Sequence, residues 1–247
     1  MSIFHEVIID LLFPRLCTAC GKRLSTQEHF LCTHCIIHLP LTQAHTVEHN
    51  PIEKKFWTHF PVEKAVSMFH HDGEQTRNLI YHIKYYGHPE LATYLASIYA
   101  KELKQTGFFD GIDLIIPLPL HWRRQMKRGY NQSHYIAQGI HQVTNIPVLK
   151  NVVKRVKNNS SQTHLNAQQR MENVEDIFRL KHPELIAGQH LLLVDDVTTT
   201  GATLSSCAQE LAKAKDVRIS ILTLATASNS ALPYVQNMYP HPLNMPF

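Results

Sequence analysis

Apolar residues along this 247-residue chain come in two spacings, and from residue 65 onward the two alternate. Short continuous runs predict buried strands at Ala65 to His70, Asp113 to Leu118, Val148 to Val153, Leu191 to Val194 and Val217 to Leu224. Stripes recurring every three or four positions predict helices. Glu74 to Tyr86 turns Leu79, Ile80 and Ile83 inward and stops at Gly87, and Pro89 to Lys104 carries Leu91, Tyr94, Leu95, Ile98 and Tyr99. Two more run from Asn131 to about Val143 and from Ala202 to Lys213, the latter with Leu204, Ala208 and Leu211 on one face. Strand and helix taking turns in this way is the pattern of an α/β domain with a mostly parallel sheet.

Elsewhere the rhythm breaks. Ile3 to Phe13 is apolar but interrupted by His5, Glu6 and Asp10, and it lacks a basic start. It predicts an amphipathic helix in a cytoplasmic protein with no membrane insertion, since a span needs roughly 20 apolar residues. Pro40, Pro51 and Pro61 punctuate a stretch without periodicity, which reads as a connection. Lys154 to Arg170 is polar and poor in large apolar residues, the composition of a mobile loop over a site. Pro233, Pro240, Pro242 and Pro246 mark an irregular tail. The expected organisation is a small module over residues 1–45, a linker over 46–61, the α/β domain over 62–230 and the tail over 231–247.

A hydrophobic content of 44% and a formal charge of +4 are ordinary for a globular protein. The distribution of charge is not. From Leu114 to Met171 there is no Asp or Glu, against Arg123, Arg124, Lys127, Arg128, Lys150, Lys154, Arg155, Lys157 and Arg170, so the middle of the chain is suited to polyanions. Four of the five cysteines, Cys17, Cys20, Cys32 and Cys35, form two Cys-x-x-Cys knuckles separated by eleven residues. That spacing suits tetrahedral Zn²⁺; disulfides are the alternative, and a cytoplasmic chain argues against them. Four thiolates close the shell, so the ion would be structural, and His29, His34 and His38 are left as surface or packing residues. Cys207 reads as a buried apolar residue on its helix.

Candidate chemistry concentrates where the Leu191 to Val194 run ends. Asp195 and Asp196 sit at the carboxyl edge of that strand, where open α/β sheets bind ligands, and Thr198 to Thr203 turn into the next helix. A hydroxyl-rich turn with one Gly at a helix start gathers backbone N–H groups into an anion site. Adjacent carboxylates repel phosphate but accept hydrogen bonds from vicinal hydroxyls or help hold a divalent metal, as a ribose 5-phosphate would require. The alternative is an ordinary turn in which the acids cap the helix, although capping needs one acid and not two. A second strand, loop and helix runs through Pro117 to Gln132 and is basic: Gly129 allows close backbone approach, and Arg128 offers a planar cation to pyrophosphate oxygens, or the loop is a solvated basic surface. Lys84, followed by Tyr85 and Gly87, is either a cation reaching over the ligand site or a helix-dipole contact.

The contiguous pattern of apolar strand, Asp-Asp and Thr-Thr-Gly-x-Thr resembles the ribose-phosphate loop of type I phosphoribosyltransferases, which bind phosphoribosyl pyrophosphate (PRPP). With Arg-Gly-Tyr-Asn-Gln before it, the Gln-Thr and Arg loop between, and the four-cysteine knuckles ahead, the order resembles the ComF family of competence-associated proteins. The resemblance covers nearly the whole chain and is weakest in Ala44 to Phe60 and after Ala227. It implies a type I phosphoribosyltransferase-like, Rossmann-like fold with an N-terminal zinc module. It assigns Asp195, Asp196, Val197, Thr198, Thr199, Thr200, Gly201, Ala202 and Thr203 to the ribose 5-phosphate, and Arg128 and Gly129 to the pyrophosphate loop. Ser161, Gln162, Thr163 and Arg170 would belong to the flexible loop, and Mg²⁺ would accompany PRPP.

Three functions then compete. The first is a transferase that displaces pyrophosphate from PRPP with an unidentified acceptor, with Asp195, Asp196 and Arg128 as its catalytic residues and a role in DNA uptake. The second is a handler of single-stranded DNA or a partner of the uptake machinery, with Tyr130, Tyr135 or Trp122 as stacking surfaces. The third is a PRPP or nucleotide sensor. The intact Asp-Asp pair favours PRPP, because bare DNA phosphates give two carboxylates nothing to bind.

Overall fold

A computed structural model describes residues 13–157 and 177–227. The expected N-terminal helix from Ile3, the loop residues Ser161, Gln162, Thr163 and Arg170, and the C-terminal tail lie outside the described residues. The strands are β1 (Ala65–His70), β2 (Leu114–Pro117), β3 (Val153–Arg155), β4 (Phe178–Leu180), β5 (His190–Thr198) and β6 (Arg218–Thr226). Among the described residues the α-helices are α1 (Thr33–Ile37), α2 (Pro51–Lys54), α3 (Glu74–Tyr85), α4 (Pro89–Gln105), α5 (Trp122–Arg128), α6 (Gln132–Thr144) and α7 (Ala202–Leu211).

Four strands pair in parallel in the order β1-β6-β5-β2, which puts β5 in the middle of the sheet. Both faces are covered, and that is why the runs are unbroken rather than alternating. Leu191 and Leu193 of β5 join a core with Leu204, Cys207 and Ala208 of α7 and with Phe178 of β4. Leu192 and Val194 point the other way, into a core with Leu79 and Ile83 of α3, Leu91 and Leu95 of α4, and Ile136 of α6. Each such side chain contributes roughly 1.5–3 kcal/mol on burial. Helices α4 and α6 touch at Gly139, where a Cβ would stand 2.3 Å from the Thr93 carbonyl oxygen, so no other residue fits without parting them.

The four-cysteine segment does not stand apart. Cys17, Leu31, Cys35 and Leu39 share the second core with Met68, Leu79 and Leu95. Glu28 orders its outer loop by accepting from the backbone N–H groups of Ser25 and Thr33 at 2.8 and 2.6 Å.

Residues 46–61, expected as a linker, are held in place: Asn50 caps α2 and donates to the Ala65 carbonyl at 3.0 Å, and Ile52 and Phe56 are buried. Some expectations need correction. The basic stretch before Gly129 is largely the helix α5 rather than a loop, its N-terminus capped by the His121 ring. The strand expected at Val148 to Val153 is displaced. Val148 forms only an isolated bridge to Ile115, and the strand begins at Val153 to pair antiparallel with β4, which was not anticipated. No helix among the described residues is long and apolar enough to cross a membrane.

Candidate functional site

The site is built on the carboxyl end of β5. Successive residues of a strand point to opposite sides, so the two acids diverge. Asp195 Oδ1 accepts from the Ser133 hydroxyl of α6 at 2.8 Å, while Asp196 Oδ1 pairs with Lys84 Nζ of α3 at 3.1 Å. Asp196 is 3% exposed, and its second oxygen, Oδ2, is buried without a hydrogen-bond partner. Burial, and after it the charge of Asp196, pushes Asp195 up to about 7, against the opposing pull of Lys84 and Ser133.

Neither acid caps the following helix. The N-cap of α7 is Gly201, with φ +83° and no side-chain cap, which disposes of the ordinary capping role for the acids. Gly201 is required twice over: by the positive φ, and because a Cβ there would lie 3.0 Å from the ring of Phe56. Thr199, Thr200 and Thr203 are exposed around the turn, Val197 and Ala202 are half-buried, and the hydroxyls of Thr198 and Ser205 are buried without partners. The end of β5 and the first turn of α7 thus each hold an unsatisfied buried hydroxyl, the condition that a polar ligand relieves.

Arg128 and Gly129 reach the same corner. Gly129, with φ +84°, ends α5, and the Arg128 guanidinium bonds to Gln132 and lies 5.5 Å from the ring centre of Tyr85. Tyr130 Oη donates to the Ile83 carbonyl at 2.6 Å, which staples this loop to the last turn of α3 and so places Arg128 and Lys84 on one side of β5. Tyr130 and Tyr135 are occupied, since the first is hydrogen-bonded and the second packs edge-on to it with ring centres 5.8 Å apart. Of the expected stacking residues only Trp122 is exposed; Tyr81, Tyr85 and Tyr86, unforeseen, form an exposed cluster beside Arg128.

Lys55 was missed altogether. Its Nζ donates to the Thr199 carbonyl at 3.0 Å, to Thr226 Oγ1 at 2.7 Å and to the Ala227 carbonyl at 2.7 Å, so it fixes the outer edge of the turn. Ser133 and Phe56 were missed too. Only Ser133, at a helix start within the basic motif, carried any local signal.

Cys17, Cys20, Cys32 and Cys35 offer sulfur atoms that all lie within 4.8 Å of one another, with Cys20 Sγ 3.8 Å from Cys32 Sγ. A tetrahedron with Zn–S bonds of about 2.3 Å has edges of about 3.8 Å, so the set fits Zn²⁺. Burial raises the Cys17 thiol, but N–H donors of Cys32, Cys20 and Ala19 outweigh it and bring the group down to about 7. Such donors favour the thiolate that a metal needs.

The phosphoribosyl transferase domain family matches residues 131–239, a span that holds Ser133, the acid pair and the turn. The chain is 31% identical over 216 residues to Competence protein F of Haemophilus influenzae, covering 86% of this chain and 90% of that one. It is 29% identical over 199 residues to the DNA utilization protein YhgH of Escherichia coli K12, covering 79% and 83%. A solved adenine phosphoribosyltransferase is similar at a TM-score of 0.37 and 15% identity, covering 57% of this chain and 72% of that one. The acid pair at the carboxyl end of a parallel strand, the four-cysteine cluster, the phosphoribosyl transferase domain match and the likeness to Competence protein F agree: the chain belongs to the ComF family of competence proteins and carries a type I phosphoribosyltransferase fold.

Proposed function

We propose that the carboxyl edge of β5 binds PRPP with Mg²⁺ and transfers its phosphoribosyl group to an acceptor, in the service of DNA uptake or use. One observation carries the reading: Asp196 is a buried carboxylate with one oxygen on Lys84 and the other unpartnered, two residues before the buried, unpartnered hydroxyl of Thr198. Asp195 and Asp196 would accept from the ribose hydroxyls, the turn from Thr198 to Thr203 would take the 5-phosphate, and Arg128 and Lys84 would face the pyrophosphate. Mg²⁺ would supply charge neutralisation on the leaving group. The bond from ribose C1 to pyrophosphate breaks as the acceptor bond forms, and the electron pair leaves with pyrophosphate. The protein's part is orientation and charge, without a nucleophilic side chain. The four cysteines would hold a structural zinc ion that fixes the N-terminal module against α3 and α4.

Direct handling of single-stranded DNA is a second reading, favoured by the exposed Tyr81, Tyr85 and Tyr86 cluster next to Arg128, where bases could stack. Calorimetry of the full-length chain with PRPP plus Mg²⁺, and separately with a single-stranded oligonucleotide, tests both. The first reading expects PRPP to bind; heat from the oligonucleotide alone would favour the second.

A further inference from the structure

Arg155 stands on β3, where Val153 points inward, Lys154 outward and Arg155 inward again. It is 8% exposed, and its Nε is sealed from water with no hydrogen-bond partner. A guanidinium has five N–H donors, and taking even one of them from water without an acceptor is costly. The ring of Phe178, 5.6 Å from its centre, returns only a part of that.

The surroundings add positive charge. The chain beyond β2 stays beside β5, with the Leu118 N–H donating to the Val194 carbonyl at 2.9 Å three residues ahead of His121. His121 is buried, and its Nδ1 accepts from the Arg123 N–H at 3.3 Å, which leaves Nε2 as the protonated, donating atom. Burial, then Arg123, Arg155, Arg124 and Lys154, all disfavour a charge on that ring. Arg155 itself feels burial and Arg124 against it and Asp195 in its favour. A cation 8% exposed, with an unpartnered Nε, further cations around it and Asp195 as the acid in its favour, has room for one more negative group.

We propose that Arg155 and His121 form an anion subsite beside Asp195 that takes the charged group of the acceptor, so that the acceptor is a small molecule bearing a carboxylate or a phosphate. This rests on the PRPP reading of the acid pair. In that reading the PRPP phosphates occupy the turn after β5 and the corner of Lys84 and Arg128. Arg155 belongs instead to β3, which pairs with β4 and packs Val153 and Phe178 against Leu204 and Cys207 of α7.

The test is calorimetry of the full-length chain saturated with PRPP and Mg²⁺, titrated with inorganic phosphate and, in a second arm, with malonate. At least one anion should bind the wild type. Arg155→Gln should weaken it about tenfold or more, as loss of a charged hydrogen bond implies, and Arg155→Lys by about threefold. His121→Asn, which keeps the helix cap, should weaken the same anion and stands in should Arg155→Gln not fold. The arm that binds identifies phosphate or carboxylate as the group. Binding of neither anion, or binding indifferent to both positions, would overturn the subsite, and so would a tenfold loss of PRPP affinity in Arg155→Gln, which would move Arg155 into the PRPP site. The PRPP titration of wild type reads the underlying proposal separately: its failure sinks both, whereas PRPP binding without an Arg155-dependent anion sinks this inference alone.

Discussion

Lys84 Nζ lies 3.1 Å from Asp196 Oδ1, tying the last turn of α3 to the carboxyl end of β5 across the sheet edge. The partners have side-chain exposures of 24% and 4%, so solvent screens the pair only in part. Without a ligand, Lys84 compensates a carboxylate that would otherwise be buried with no partner at all. Lys84→Met should therefore destabilise the protein by about 1–3 kcal/mol, below the full cost of breaking a buried pair because Lys84 is partly solvated. It should also weaken PRPP by about tenfold or more. Urea denaturation and PRPP titration of the variant check the two effects; wild-type stability would mean that the pair is idle.

The neighbouring acid predicts a pH dependence of the opposite sense to most carboxylates. Asp195 is raised from an ordinary 3.8 to about 7 by burial and by Asp196. A raised carboxylate favours folding while it is protonated, so its contribution is complete below about pH 4 and is lost as pH climbs through 7. Asp195→Asn removes that penalty. Relative to wild type, the ligand-free variant should gain on the order of 2–4 kcal/mol between pH 5 and pH 8. Denaturation midpoints across that range read it directly, and a difference that stays flat with pH would contradict the assignment.

What the sequence made legible was local. The Leu191 to Val194 run, the acid pair and the Gly201 turn lie within a dozen residues, and their order alone implies strand, turn and helix, which is what β5 and α7 are. Lys55 and Thr199 are 144 residues apart, and no periodicity around Lys55 hints that its amine ends on that carbonyl. The same holds for Phe56, whose ring meets Gly201. Residues 46–61 looked like a linker because their burial is made by distant partners and not by a repeating stripe. Between Val148 and Val153 the apolar run was real, but the two residues bond to different neighbours, Val148 to the edge of β2 and Val153 to β4. A run of side chains cannot show that its backbone changes partner. The basic motif before Gly129 lacks an apolar face because α5 buries none of its residues, so its helical state left no stripe.

The four-cysteine cluster shares its core with α3 and α4, so metal loss should spread beyond residues 17–35. Structural zinc contributes roughly 10 kcal/mol or more to the fold of such modules. Cys17→Ser and Cys32→Ser should each release the ion and lower the melting temperature of the whole described domain, not only of the N-terminal segment. Elemental analysis beside thermal unfolding checks this, and one zinc per chain retained in both variants would rule it out.

The most direct test of the central claim is one calorimetric comparison of wild type with the Asp195→Asn, Asp196→Asn double variant, titrated with PRPP and Mg²⁺ at pH 8 and fixed salt. Asn keeps the shape of Asp and removes the charged acceptors, at about 1.5–3 kcal/mol for each hydrogen bond lost. Wild type should bind PRPP, and the double variant, folded by circular dichroism, should bind it about a hundredfold more weakly or not measurably. Equal affinity in the two proteins would mean that the acids at the end of β5 are structural and that PRPP is not held there.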